Sequence, residues 1–343
     1  MKKSPLSAVV VSAVLSVMAL SGCAEKLHIY NWTYYIPDSV LRKFEQEYDC
    51  KIEYDTYASN EELYAKLLAG GGRYDIVVPS GDYVSIMIKQ DMLARLDHSR
   101  FANLGNIDPL VLEKTVYDPD MEYSVPYYFG AAGIAVNTRR VPDFARSWSI
   151  FSRADLAGKM TMLDDMREVL GDALTHLGYS VNTVNPAEIT RARDLVNNVW
   201  KPNLLKFDAE AVGKGFASED FWVSQCYAEM IFEEISPELR ANTVFFIPRE
   251  GGPAYIDSMC MLKNGRNPDL AYRFIDFIHR PDIYAEFTDY FGFPSAVNIP
   301  ARALKAVPPY YDAAELLSVE LKDDVGEYLS LYDQAWLSIR VGE

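Results

Sequence analysis

The sequence predicts an α/β protein built as two domains joined by two crossings of the chain. Three observations predict it. A chain of 343 residues can bury one or two sizeable cores, and two is the better prior. From Leu27 to Tyr83, short apolar strands alternate with amphipathic helices, the pattern of a right-handed parallel sheet. Beyond Gly133–Asn137 the same alternation starts again, and the extended stretches around Val136 and Asp257 have helices of separate domains on either side.

Residues 1–22 precede the fold. Lys2 and Lys3 make a positive start, Leu6 to Leu20 is apolar with small residues, and Leu20-Ser21-Gly22-Cys23 follows. This is a secretory signal, too short for a spanning helix. It resembles the bacterial lipoprotein signal, which implies lipid modification of Cys23 as the first residue of the mature chain.

Leu27 to Tyr30 alternates like a strand. Val40, Leu41, Phe44 and Tyr48 then share one helix face, with Asp38 as the expected N-cap. Ile52 to Tyr57 reads as a second strand. Ser59-Asn60-Glu61-Glu62 has the form of a capping box before a helix carrying Leu63, Leu67 and Leu68, which Gly70-Gly71-Gly72 ends. Tyr74 to Val78 is a short continuous apolar strand, and Pro79-Ser80-Gly81-Asp82-Tyr83 turns into another helix. In the second run Lys159–Leu163 reads as strand, Asp165–Leu177 as helix, Arg191–Val199 as helical and Thr243–Ile247 as extended.

Charge and composition narrow the function. There are 33 basic and 49 acidic residues, for a net charge of −16, which excludes a nucleic-acid partner. Removing residues 1–22 takes away two lysines and no acid, so the mature charge is −18. The 23 tyrosines exceed what an ordinary core uses, and acid with aromatic surface suits organic cations. Cys50, Cys226 and Cys260 allow one disulfide at most, so the core itself must hold the domains.

In sheets of this kind ligands meet the chain beyond the carboxyl ends of the strands. That rule collects Trp32, Thr33, Tyr34 and Tyr35, then Ser80 and Asp82, then Asp165 and Glu168, with Tyr227 and the Tyr255-Ile256-Asp257 triplet near the later extended segments. The set is poor in Lys, Arg and His and rich in carboxylates and rings. Other roles stand beside this one. The rings of residues 32–35 can pack as a satellite cluster, Asp165-Met166-Arg167-Glu168 fits a capping box, and Ser80 and Asp82 are ordinary N-cap residues. Asp257 is harder to explain away, because a carboxylate between apolar neighbours is costly unless paired.

The stretches YNWTYYIP, TYASNEELYAKL, YDIVVPS, SVPYYFGAAGIAVN, LDDMREVLGDAL, PREGGPAYIDSM, FIHRPD, GFPS and DDVG occur in this order. By them the chain resembles, from Lys26 to its C-terminus, the spermidine/putrescine-binding proteins of bacterial ABC importers. The resemblance implies a two-lobed periplasmic-binding-protein fold of type II, two parallel-sheet domains with the ligand cleft between them. It implies a signal over 1–22, an N-terminal lobe of 23–134 plus 258–303, and a C-terminal lobe of 135–257 plus 304–343. It further implies a monomer that is no enzyme, with no cofactor and no metal, whose partners are a polyamine, a membrane permease and, through the anchor, a membrane.

Carried over residue by residue, it places Trp32, Thr33, Tyr35, Ser80, Asp165, Glu168 and Asp257 in the site, with Tyr227, Tyr255 and Phe293 at aromatic positions. Three positions depart from the spermidine-binding pattern: Tyr34 replaces an acid, Asp82 a tyrosine and Lys322 a glutamine. Asp82 is kept among the ligand-binding residues. The losses at the ends of the cleft lead us to expect putrescine to bind at least as tightly as spermidine, with spermine worst. Two other readings stay open. A ferric-ion carrier of the same fold would use Tyr34-Tyr35 and Tyr127-Tyr128 as phenolates, and a hydrolase would use Asp165 and Glu168 as an acid/base pair.

Overall fold

The computed structural model describes residues 25–33, 35–70 and 73–341. The signal segment, Cys23 and Tyr34 lie outside the described residues. The first domain begins with β1 (Glu25–Trp32), α1 (Asp38–Tyr48), β2 (Cys50–Tyr57), α2 (Asn60–Leu68), β3 (Ile76–Val77) and α3 (Gly81–Lys89). Strands β2 and β3 flank β1 in parallel, as the alternation predicts. Helix α1 buries Val40 and Phe44, and α2 buries Leu63 and Leu67, the faces their apolar spacing assigns. Two caps differ from expectation. Pro37, held extended, caps α1, and Asp38 is its first helical residue, with its carboxylate at the positive end of the helix. Ser59 does accept from the Glu62 amide, but Glu62 reaches back to the amide of Ala58 rather than Ser59.

After α4 (Pro109–Lys114), strand β4 (Ser124–Ala131) is buried along its whole length. The chain then enters the second domain: β5 (Gly133–Asn137), β6 (Met160–Met162), α5 (Met166–His176), α6 (Pro186–Leu195), β7 (Leu204–Phe207), α7 (Val212–Ala217), β8 (Val223–Cys226), α8 (Ala228–Phe232), α9 (Pro237–Arg240) and β9 (Thr243–Phe246). The helix expected over Arg191–Val199 starts earlier, at Pro186, and runs on into a π turn over Val196–Trp200. The strand order is β7-β6-β8-β5-β9. Ile134, Val136, Val223 and Phe246 fill one face of this sheet, and Ala135, Cys226 and Phe245 the other.

The chain returns as β10 (Pro253–Met261), α10 (Pro268–Ile278), α11 (Pro281–Tyr290) and β11 (Glu320–Leu321), and ends in α12 (Leu329–Val341). Strand β10 runs antiparallel to both β3 and β4. Both sheets are therefore mixed rather than purely parallel, because β10 comes back from the second domain against the direction of β3, and β5 runs antiparallel to β8 and β9.

The chain passes between the sheets twice, as expected, and a third passage carries it from β11 to α12 on the second domain. Ala132 alone separates β4 from β5, residues 247–252 join β9 to β10, and residues 322–328 join β11 to α12. Ala254 pairs with Ala131 on one side and Leu321 on the other, so the three passages leave the first sheet side by side. Sheet membership draws the domains differently from the expected division at Asp257/Ser258 and at 304. Residues 253–257 and β11 belong to the first sheet, and of the last stretch α12 packs on the second domain through Tyr332, Ala335 and Ile339. Cys50, Cys226 and Cys260 are buried free thiols.

Candidate functional site

The carboxyl ends of β1, β2 and β3 meet at one rim. The Trp32 indole N–H donates to the Val78 carbonyl at 2.9 Å, and the Tyr57 hydroxyl donates to the same oxygen at 2.6 Å. The Trp32 and Tyr57 rings lie 4.7 Å apart. Thr33, exposed, is bound through its amide to the Tyr57 carbonyl. Because β10 is antiparallel to β3, its first half projects beyond that rim and carries Tyr255 and Asp257 toward the second domain. There, the carboxyl end of β6 leads into Asp165 and α5, and that of β8 into Tyr227 and α8. The predicted residues thus come together from both sheets.

Asp257 is 2% exposed. The Tyr35 hydroxyl donates to its Oδ2 and the Ser80 hydroxyl to its Oδ1, each at 2.6 Å. Ser80 is itself set by Asn60, whose amide group donates to Oγ at 3.1 Å. Burial pushes the Asp257 carboxyl up to about 7, although the two hydroxyls and the Lys322 charge pull it down. Asp257 forms no ion pair among the described residues, so its charge calls for a cation from elsewhere.

At the other end, Asp165 is exposed and caps α5, accepting from the amides of Arg167 and Glu168 at 2.9 and 3.0 Å. The capping role is real, but only half of a capping box forms. Glu168 turns inward, is fully buried, and forms an ion pair with Lys322, whose side chain is 19% exposed. Burial raises the Glu168 carboxyl and Lys322 lowers it again, with a net upward shift. Burial lowers the Lys322 ammonium, but the Glu168 and Asp165 charges outweigh it and the net shift is upward. Asp82, in the first turn of α3, is raised by burial and eased by Lys322. One turn beyond Glu168, Asp172 is held by Gln225 and is pushed well above the carboxylate range by burial and by Glu168.

Rings line the space between these ends. Tyr227 and Tyr255 meet edge to face at 5.7 Å. Phe293 lies deeper than expected, 1% exposed, and stacks under Tyr128 at 4.5 Å, so it backs the wall rather than forming its surface. Sequence reasoning missed two members. Tyr117 closes the floor, its hydroxyl 2.9 Å from Ser258 Oγ, and its ring lies where a Cβ on Gly81 would stand, 2.3 Å away. Glu229, in the first turn of α8, is pushed up to about 7 by burial, with the Asp257 charge adding to the rise. Its signal was an acid two residues past Tyr227, which reads as an ordinary first-turn acid.

Ser80, Asp82, Tyr117, Tyr255 and Lys322 share the lining of one small pocket. Such a lining offers carboxylates for cationic groups and ring faces for an apolar chain between them.

Comparison with known proteins agrees with this geometry. A family model described as bacterial extracellular solute-binding protein matches residues 39–307. The spermidine/putrescine-binding periplasmic protein of Escherichia coli K12 is 34% identical over 324 residues, covering 92% of each chain. The putrescine/cadaverine-binding protein of Pseudomonas aeruginosa is 32% identical, covering 96% of this chain and 98% of its own. The crystal structure of the TpPotD lipoprotein of Treponema pallidum superposes with a TM-score of 0.90 at 50% identity, covering 92% of this chain and 100% of that one.

Proposed function

Given that the chain belongs to the bacterial extracellular solute-binding proteins, we propose that it captures polyamines in the cleft and delivers them to the permease of an ABC importer. Asp257 carries the reading: a buried carboxylate, pre-set by two hydroxyl donors and bordered by rings, with no cation of the protein paired to it among the described residues. An ammonium group restores the lost hydration through charge-assisted hydrogen bonds, and each ring face adds about 0.5–2 kcal/mol beside a cation. Trp32, Thr33, Tyr35, Ser80, Asp82, Asp165, Glu168, Tyr227, Tyr255 and Asp257 form the binding set in this reading, with Phe293 as support.

The iron reading loses ground on its own ligands. The Tyr127 hydroxyl donates to the Tyr35 carbonyl, the Tyr128 hydroxyl pairs with Tyr311 at 3.0 Å, and burial raises both far above the phenolate range. The hydrolase reading fares no better, with Asp165 capping a helix and Glu168 paired to Lys322.

Isothermal titration with putrescine, cadaverine, spermidine, spermine and ferric citrate tests the proposal. We expect one-to-one binding of a polyamine and no heat from iron. No saturable binding of any polyamine would end the reading. We further propose that Cys23 carries the lipid anchor. Among the described residues no helix is long and apolar enough to cross a membrane. Cys23→Ala should abolish palmitate labelling and release the protein from the membrane fraction; unchanged labelling would refute the anchor.

A further inference from the structure

We propose that Lys322 is a built-in cation that engages the buried carboxylate of Glu168 in place of a ligand ammonium, so that the cleft favours an α,ω-diamine and disfavours a triamine. The inference rests on the polyamine reading and specifies its ligand. The Lys322 backbone amide donates to the Ala254 carbonyl at 3.0 Å, directly after β11, so the residue belongs to the edge of the first sheet. Its ammonium reaches across to Glu168 on α5 of the second domain. The connection around it is fastened at several points. Asn182 donates to the Leu321 carbonyl at 2.8 Å and accepts from the Asp323 amide at 2.9 Å, and Glu320 accepts from Ser180 and from the Val181 amide. The backbone around the lysine is therefore fastened, and its ammonium is directed to the cleft side by the Glu168 ion pair.

Charge bookkeeping gives the consequence. Glu168 is fully buried and a cation already sits on one of its oxygens. Asp172 behind it is pushed well above the carboxylate range by burial and by Glu168, and Glu168 and Lys322 balance each other as an ion pair. A third ligand ammonium arriving there meets a like charge and a carboxylate already engaged. Asp257 and Glu229 show the opposite state. Neither has an ion pair among the described residues; burial raises both, and the Asp257 charge adds to the rise of Glu229. The Asp257 end thus offers carboxylates without ion pairs while the Glu168 end is already occupied, which suits the ligand with fewer charges.

The test is titration of putrescine and spermidine into the full-length mature protein, Lys322→Gln and Lys322→Met under identical conditions. We expect the spermidine-to-putrescine affinity ratio to rise at least tenfold in both variants. Should burying Glu168 without its cation prevent the variants from folding, the unmodified protein decides: spermidine bound tenfold more tightly than putrescine overturns the inference. A ratio that moves by less than threefold in a folded variant overturns the inference while leaving polyamine capture intact. Unmodified protein that binds neither amine overturns both.

Discussion

Asp257 carries the largest residue-level effect. Replacing it with Asn keeps its shape and its contact with Ser80, but removes the charge that pairs with an ammonium. Binding should weaken by roughly 2–5 kcal/mol, the cost of losing one partner of a buried charge pair; a loss below about threefold in titration would take Asp257 out of the site. Its pH dependence has a definite sign. The carboxyl titrates at about 7 in the folded protein, against about 4 when unfolded, and an ammonium binds its ionised form. Polyamine affinity should thus fall as pH drops through 7, by about tenfold per unit for each carboxylate engaged. Stability of the ligand-free protein runs the other way: a raised carboxyl contributes fully below pH 4 and its contribution is lost as pH rises through 7. Melting temperatures from pH 5 to 8, with and without putrescine, check both signs, and Asp257→Asn should flatten each. A flat affinity profile in the unmodified protein would contradict the pairing. This residue was legible in the sequence because a carboxylate between apolar neighbours is conspicuous. Glu229 was not, because an acid at a helix start has a common explanation and only the packing reveals its neighbours.

Among the elements, α5 holds two roles that sequence alone could not separate. Asp165 is its N-cap and also contributes charge around Lys322. Asn caps as well as Asp, whereas Ala loses about 0.5–2 kcal/mol of helix stability. Asp165→Asn should leave the denaturation midpoint nearly unchanged and weaken polyamine binding, while Asp165→Ala should lower both. Equal affinity in the Asn variant and the unmodified protein would assign Asp165 to capping alone. The β1–α1–β2–α2–β3 run was legible almost residue by residue, since each helix face and turn was written locally. What stayed hidden was the company each strand keeps. Nothing local in Ser124–Ala131 says that it pairs with Pro253–Met261, more than a hundred residues away, so the mixed character of both sheets emerged only in three dimensions.

For the whole molecule, the two-domain architecture was visible in the repeated alternation, but its boundaries were not. An extended stretch looks the same in sequence whether it lies within a sheet or leaves it. The architecture implies closure of the domains around the ligand by bending where the chain passes between them. Solution scattering should show a smaller radius of gyration with saturating putrescine than without. Superimposable curves would mean a cleft that fills without moving.

The three side-by-side passages determine what kind of motion that is. Ala131, Ala254 and Leu321 sit at one level on three adjacent strands, a row about 10 Å across at the usual strand spacing. A body tied to another at a single point can swivel about three axes. Tied along a short row, it keeps easy rotation about that row alone, because twist or sideways sway would stretch the outer strands. A closure of the two domains would therefore swing like a door on one hinge line, presenting the cleft along the same arc each time.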